Sequence, residues 1–418
     1  MRICVITYTY PHVGEPWIYE PVESLRARGH EVRVIAARRG ELDGMSPSRF
    51  PARITNDWLS RREKTRAMLR APVRAAMHAP RAAALRHHAP FRELLARSVL
   101  PEIVRADVVL AHFGDVGATW LPVAAIARRP LAVFFHGYDA TALPALKPDF
   151  YDALFASGAA LLTNGPYLRS RLIAAGAPAD RIHIVRLAAP PEVGELPSPE
   201  LSAPRIITVA RLMPKKGLDD AIVAFARAQW ALNGAWRYEI IGQGELRDPL
   251  GALARDTGVG SLVDFRGVLP HEQALDAMRE ASIFVLASKV APSGDTEGTP
   301  VAIIEAATLG LPVVATRHAG IPDLLPADAE ARGFLVPEGD VQALSVAIAT
   351  LASDERLRRE WAARCRAHAR GNFSAAAHLD ALVGAMRDHA RIPVLRAAHR
   401  AHDPAPAHID TVPAAPHG

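Results

Sequence analysis

The feature that most restricts this chain is an alternation that runs, stops and starts again. RICVIT (2–7) is a short apolar run and EVRVIA (31–36) alternates like a strand. Between them WIYEPVESLRARGH (17–30) has helical spacing and ends at Gly29, with Pro21 breaking its first turn. Strand, helix, strand in that order is the opening unit of a parallel sheet. Further strand candidates follow at ADVVLAHF (106–113), LAVFFHG (131–137), AALLTNG (159–165) and RIHIVRL (181–187), separated by helical patterns. PPEVGELPSPELSAP (190–204), rich in Pro and Glu, then reads as a linker. The alternation restarts with RIITVAR (205–211), RYEIIGQG (237–244), SLVDFRG (261–267), SIFVLAS (282–288) and LPVVAT (311–316). After Asp340 the pattern is helical to about residue 390.

Two such blocks in 418 residues predict an α/β protein of two Rossmann-like, doubly wound parallel-sheet domains facing a cleft. The expected boundaries are 1–189 for an N-terminal Rossmann-like domain with a basic insertion at about 58–100, and 190–204 for the linker. A second Rossmann-like domain is expected over 205–372, a C-terminal helix packing back on the N-terminal domain over 373–392, and a disordered Pro/Ala-rich tail over 393–418. Two cysteines, Cys4 and Cys365, form neither a disulfide framework nor a zinc pattern, which favours a reducing compartment. No apolar run is long enough to span a bilayer, and the N-terminus is too short and strand-like for a signal peptide. The expected location is cytoplasmic, with attachment to the inner face of the plasma membrane as an alternative.

That alternative comes from the charge. The chain carries +5, yet residues 61–100 alone hold ten basic side chains against two acidic ones. Arg66, Arg70 and Arg74 recur at helical spacing beside Met68, Leu69, Val73 and Met77, while Pro72, Pro80 and Pro90 divide the segment. Residues 61–97 therefore fit docking on an anionic membrane surface, or a solvated insertion. Nucleic acid is excluded as the expected partner because the segment has almost no aromatic side chains.

EGTPVAIIE (297–305) carries the chemistry. Thr299 followed by Pro300 reads as N-cap and first helical residue, which puts Glu297 in a loop and Glu305 in the second turn of a helix closed by Gly310. Glu297 follows a strand, so it faces the edge of the sheet where ligands bind. The helix start aims free N–H groups, from residues such as Thr299 and Val301, at the same place and favours an anion such as a diphosphate. Glu305 can accept two vicinal hydroxyls of a ribose, and Glu297 can contact a sugar or positive charge at an anomeric carbon. Each Glu alone also fits a solvated loop or helix surface. Arg211, Lys215 and Lys216 in ARLMPKKG (210–217) can neutralise a diphosphate, or form an ordinary basic turn. Gly242 and Gly244 in IIGQGEL let backbone approach a nucleotide, or make a tight turn.

DTEGTPVAIIEAATLGLPVVATRHAGIPDLL (295–325) resembles the signature of family-4 retaining glycosyltransferases of the GT-B fold. ARLMPKKGLDDAI resembles the diphosphate-binding Arg and Lys of that family, and GQGELRDPL and VDFRGVLP resemble its nucleotide-binding turns, the last bringing in Val268. EGTPVAIIE followed by AGIPDLL is most similar to the colanic-acid and amylovoran branch, which builds bacterial exopolysaccharide. The resemblance implies that Glu305 holds the donor ribose and that Glu297 contacts the transferred sugar. It implies that Arg211 and Lys216 stabilise the leaving nucleoside diphosphate, and that His136 in FFHGYDA faces the sugar across the cleft. Gly14, Gly298, Thr299 and Val301 join the donor-binding set, and Asp139 and the HFGDVG loop (112–117) are further candidates. The first loop, YPHVGEPW, has Gly14 and Glu15 where many relatives have a Gly pair; VRLAAPP (185–191) also departs from the family turn.

The resemblance implies transfer from a nucleotide diphosphate sugar, UDP before GDP, to a glycan or polyprenyl-diphosphate-linked acceptor. No cofactor beyond the donor is expected. No Asp-x-Asp pair occurs, so no metal is expected beside the diphosphate. The competing readings are a nucleotide-sugar epimerase, which needs an acid/base set at the domain interface, and a non-catalytic nucleotide-sugar sensor, which needs neither Glu297 nor His136.

Overall fold

The computed structural model describes residues 1–12, 15–40, 51–54, 99–189, 204–232 and 236–391. Gly14, the basic segment 61–97, most of the 190–204 linker and the 393–418 tail lie outside the described residues.

Two parallel sheets form the molecule. The first contains β1 (Arg2–Tyr10), β2 (Glu31–Arg39), β3 (Arg53–Ile54), β4 (Val108–His112), β5 (Leu131–Phe135), β6 (Ala160–Thr163) and β7 (Ile182–Ile184), in the spatial order β3-β2-β1-β4-β5-β6-β7. The second contains β8 (Arg205–Val209), β9 (Arg237–Ile241), β10 (Val263–Gly267), β11 (Ile283–Leu286), β12 (Val313–Thr316) and β13 (Leu335–Val336), in the order β10-β9-β8-β11-β12-β13. The two-residue strands β3 and β13 are too short to register as periodic runs, and sequence analysis missed both. β4, β5, β6, β11 and β12 are buried along their whole length, as apolar runs covered on both faces must be.

Strand order fixes where a ligand can bind. In each sheet the direction of winding reverses beside the first strand, between β1 and β4 and between β8 and β11. Loops leaving the carboxyl ends of those strands diverge and leave a crevice. β8 and β11 are in register through Ile206 opposite Ile283 and Ile207 opposite Phe284. The loops after those two strands therefore emerge side by side.

Helix Val301–Thr308 is almost entirely buried, and Leu309 and Gly310 close it, with Gly310 at φ 82°. Helix Glu355–Asn372 buries Trp361, whose indole N–H donates to the Val313 carbonyl at 2.9 Å. The last helix, Ala375–Arg391, crosses to the first sheet and packs on β4, β5, β6 and helix Pro16–Ala27. It is tied there by Arg28 to Asp380 at 2.6 Å and by His378 Nδ1 to the Arg186 carbonyl at 2.7 Å. Pro21 sits inside helix Pro16–Ala27, which continues through it.

Candidate active site

On the first sheet, His112 ends β4 and His136 follows β5. His112 Nδ1 lies 3.1 Å from His136 Nε2, and their rings stack with centroids 5.3 Å apart. Phe134 stacks on His136 from behind at 4.7 Å, and Trp17 flanks it at 6.4 Å. Burial, then the neighbouring imidazoles of His112 and His378, hold His136 well below the usual histidine range, so it is neutral. Burial pulls His112 down to about 3. A neutral imidazole keeps one donor and one acceptor, and among the described residues His136 Nδ1 has no partner. Phe113, between the two histidine segments, adopts φ 76°, a conformation costing about 1–3 kcal/mol for a residue with a side chain.

Asp139 is buried and explains how this loop keeps its shape. Its carboxylate accepts from the backbone N–H groups of Gly114 at 2.8 Å, His136 at 3.0 Å and Gly137 at 2.8 Å. It clamps the turns after β4 and β5 together and is a scaffold for His136. Burial pushes it up to about 6, against the pull of those N–H donors.

On the second sheet, the loop after β8 presents Arg211, Lys215 and Lys216, and the loop after β11 presents Asp295 and Glu297. Lys216 Nζ lies 2.6 Å from Glu297 Oε1, and Lys215 Nζ lies 3.0 Å from Asp295 and 3.2 Å from the Thr296 carbonyl. Ser288 Oγ donates to Glu297 Oε1 at 3.2 Å. The Glu297 backbone N–H donates to His318 Nε2 at 3.1 Å, while His318 Nδ1 lies 2.7 Å from Glu338. Burial alone would raise the Glu297 carboxyl; Lys216, then Lys215, more than offset it and hold it at about 2. Glu297 is thus a fixed anion. Arg211 is exposed and faces Glu15 of the first loop, whose carboxyl burial pushes up to about 7 against the pull of Arg211.

Glu305 stands one turn into helix Val301–Thr308, its Oε1 2.9 Å from His271 Nε2. The helix begins one residue later than the Thr299–Pro300 pair predicts. Pro300 is the N-cap, with extended backbone at ψ 106°, and Thr299 lies in the loop before it. The correction follows from Pro300 keeping the non-helical ψ that an N-cap uses. Val301 is then the first helical residue, whose N–H has no partner within the helix.

Gly298 is one of the places where the two halves touch. A Cβ on Gly298 would stand 2.1 Å from the His136 carbonyl oxygen, and one on Gly137 would stand 3.6 Å from the Gly298 nitrogen. His136, Glu297, Gly298 and Lys216 are therefore brought together. Thr299 flanks this contact, near Gly165 and Gly320. Gly242, at φ 134°, and Gly244 serve packing first: a Cβ on either would meet the Ala210 or Leu212 carbonyl at 2.0 or 2.4 Å. Val268 is half exposed after β10. Sequence analysis missed His318, His271 and Glu338. The available signal was position, since His318 in ATRHAG and His271 in VLPHEQ each follow a strand on the ligand side.

Two family models divide the chain: Glycosyltransferase Family 4 matches residues 15–193 and Glycosyl transferases group 1 matches 198–368. The amylovoran biosynthesis glycosyltransferase AmsK of Erwinia amylovora is 32% identical over 376 residues, 85% of this chain and 91% of that protein. The chain belongs to glycosyltransferase family 4. The putative colanic acid biosynthesis glycosyltransferase WcaL of Salmonella typhimurium, 30% identical over 84% of this chain and 90% of its own length, places it in the branch that EGTPVAIIE suggested. Among solved structures, Anabaena Alr3699/HepE in complex with UDP-glucose superposes with a TM-score of 0.68 over 93% of this chain and 100% of that one, at 18% identity. The fold of this family-4 glycosyltransferase is GT-B. No described helix is long and apolar enough to cross a membrane.

Proposed function

We propose that this glycosyltransferase moves a sugar from a nucleotide diphosphate sugar to a hydroxyl of a growing exopolysaccharide or cell-surface glycan, with retention at the anomeric carbon. The observation that carries the reading is the convergence at Gly298 of the Lys216–Glu297 pair with the His136 loop of the opposite sheet. UDP is the favoured nucleotide and GDP the alternative; the UDP-glucose held by the HepE fold relative supports the first. The AmsK and WcaL relatives support the pathway class; a glycan or polyprenyl-diphosphate-linked acceptor is our further reading.

In this reading the diphosphate lies against Arg211, Lys216 and the N–H groups at the start of helix Val301–Thr308, and Glu305 accepts the ribose hydroxyls. Lys216 gives one of its three donors to Glu297 and keeps two for phosphate oxygens. As the bond from the anomeric carbon to the β-phosphate oxygen breaks, negative charge grows on the diphosphate where these cations already stand. Positive charge at the anomeric carbon is met by Glu297, an anion at all working pH. The acceptor hydroxyl enters on the face the diphosphate leaves, and its proton passes to the departing phosphate oxygen. His136 Nδ1 contacts a hydroxyl of the transferred sugar from the N-terminal side.

The test is binding and hydrolysis across a panel of nucleotide sugars, comparing wild type with Glu297→Ala and Glu305→Ala. The reading expects one preferred donor, weakly bound without Glu305, and bound but not turned over without Glu297. Full turnover by Glu297→Ala would overturn the role given to Glu297, and a Glu297→Ala variant that keeps full function in cells without turnover would favour a non-catalytic sensor. The reading also assigns no essential metal; a tenfold or larger loss in chelator, restored by a divalent cation, would overturn that part. Docking of residues 61–97 on membranes is tested by sedimentation with vesicles, and equal binding to neutral and anionic ones would rule out an electrostatic attachment.

A further inference from the structure

His271 stands between carboxylates that belong to opposite halves of the molecule. Its Nε2 is 2.9 Å from Glu305 Oε1, and its Nδ1 is 4.0 Å from Glu20 Oε1. His271 opens helix His271–Arg279 and Glu305 lies in helix Val301–Thr308, both in the second half. Glu20 lies in helix Pro16–Ala27, which follows β1 of the first sheet. A neutral imidazole has one N–H and can serve one carboxylate; only the protonated ring presents a donor to each. The hydrogen bond to Glu305 raises the His271 pKa against the opposing effect of burial, and the charges of Glu305, Glu20 and Glu272 add to the rise. Glu20 is itself pushed up by burial; His271 works against that rise, and the charges of Glu305 and Glu272 add to it. Tyr19 faces the same three carboxylates, Glu20, Glu272 and Glu305, and its hydroxyl is pushed up, by burial first.

We propose that His271 is a positioning residue that holds Glu305 for the donor ribose and, when protonated, bridges it to Glu20, so that the two halves close on the donor in a pH-dependent way. The proposal rests on the reading that Glu305 takes the ribose hydroxyls. The Nε2–Glu305 bond survives in either charge state and leaves Glu305 with lone pairs for a vicinal diol. The Glu20 contact needs the second proton. A bridge between halves strengthens any ligand bound between them. The contribution is therefore present below the raised His271 pKa and lost as pH rises through it.

The experiment measures calorimetric affinity for UDP-glucose and GDP-mannose, whose diphosphates have no pKa in the window, from about pH 6 to about pH 8.5. Wild type is expected to bind roughly two- to fivefold more weakly at the upper end, the range of a partly exposed ion pair. His271→Gln, which keeps one donor for Glu305, and Glu20→Gln are each expected to lose that slope and to match wild type at the upper end. The difference between wild type and variant cancels any titration of Glu15. A slope that survives in His271→Gln, or a flat wild-type profile, overturns the bridge. Glu305→Gln and a 2′-deoxyribose donor separate the two readings. If both weaken binding while His271→Gln behaves as wild type, the bridge alone fails. If neither weakens binding, or wild type binds neither donor, the ribose reading fails and the bridge with it.

Discussion

Lys216 Nζ lies 2.6 Å from Glu297 Oε1, and each is the other's main support in a site where neither side chain is well hydrated. Removing one member leaves an uncompensated buried charge. Lys216→Met is expected to lower unfolding stability by about 3–5 kcal/mol and to abolish turnover. Adding Glu297→Gln to it is expected to recover part of the stability but none of the activity. Denaturant unfolding of the two single variants and the double checks this; strictly additive losses would mean that the pair is not coupled.

The same pair sets an acid limit. Burial works to raise the Glu297 carboxyl, but Lys216 and Lys215 hold it at about 2, below its ordinary value of 4.5. A depressed carboxylate stabilises the fold above its unfolded pKa, and that contribution disappears as pH falls through the folded value. Stability is expected to drop between about pH 4.5 and about pH 2. The drop should be smaller in Glu297→Gln, and melting curves across that interval decide it.

Gly298 has no room for a side chain. A methyl group there would stand 2.1 Å from the His136 carbonyl oxygen, so Gly298→Ala must push the two halves apart. We expect turnover to fall by about 100-fold, the usual cost of a misplacement near 1 Å, with both sheets still folded. A variant with normal kinetics and an unchanged small-angle scattering profile would show that this contact is dispensable.

Asp139 organises the His136 loop through three backbone N–H groups. Asp139→Ala leaves those donors unsatisfied and is expected to cost about 2–4 kcal/mol. Its pKa is raised to about 6 from 3.8, so its contribution is complete below the unfolded value and declines as pH rises through 6. Asp139→Ala should therefore remove a neutral-side loss of stability as well as stability itself. Thermal melts at acid and neutral pH separate the two effects.

Glu15 faces Arg211 across the crevice, with its carboxyl pushed to about 7 by burial. Because Arg211 lowers that value, Arg211→Ala is expected to move the Glu15 titration to higher pH. Glu15→Gln is expected to erase it. Carboxyl signals followed by NMR through neutral pH would show either shift, and an unmoved titration in Arg211→Ala would place the two groups out of electrostatic reach.

Most of the secondary structure was legible because it is local. Short, fully apolar runs such as VVLA and IFVL fit strands covered on both faces, and their spacing leaves room for crossover helices. The weak spots have physical causes. β3 and β13 have two residues each and no period to read. Thr299 has a hydroxyl that suits an N-cap, yet the backbone turns at Pro300. Gly242 and Gly244 stand out as glycines, but their lack of a side chain answers first to the neighbouring Ala210–Leu212 backbone.

The order of hydrophobic runs, the Glu at either end of EGTPVAIIE and the cations of ARLMPKKG were enough to name the family and the polar groups at the carboxyl ends of strands. Which of those groups would meet was decided by strand order. β8 and β11 became neighbours only when the sheet formed, and that adjacency joined Lys216 to Glu297. The contact of Gly298 with His136 and the reach of His271 toward Glu20 needed a second step, the seating of one sheet against the other. Patterns along a chain report burial with a period of two or 3.6 residues. Distances between loops that leave different strands depend on packing between elements far apart in sequence, which no such period records.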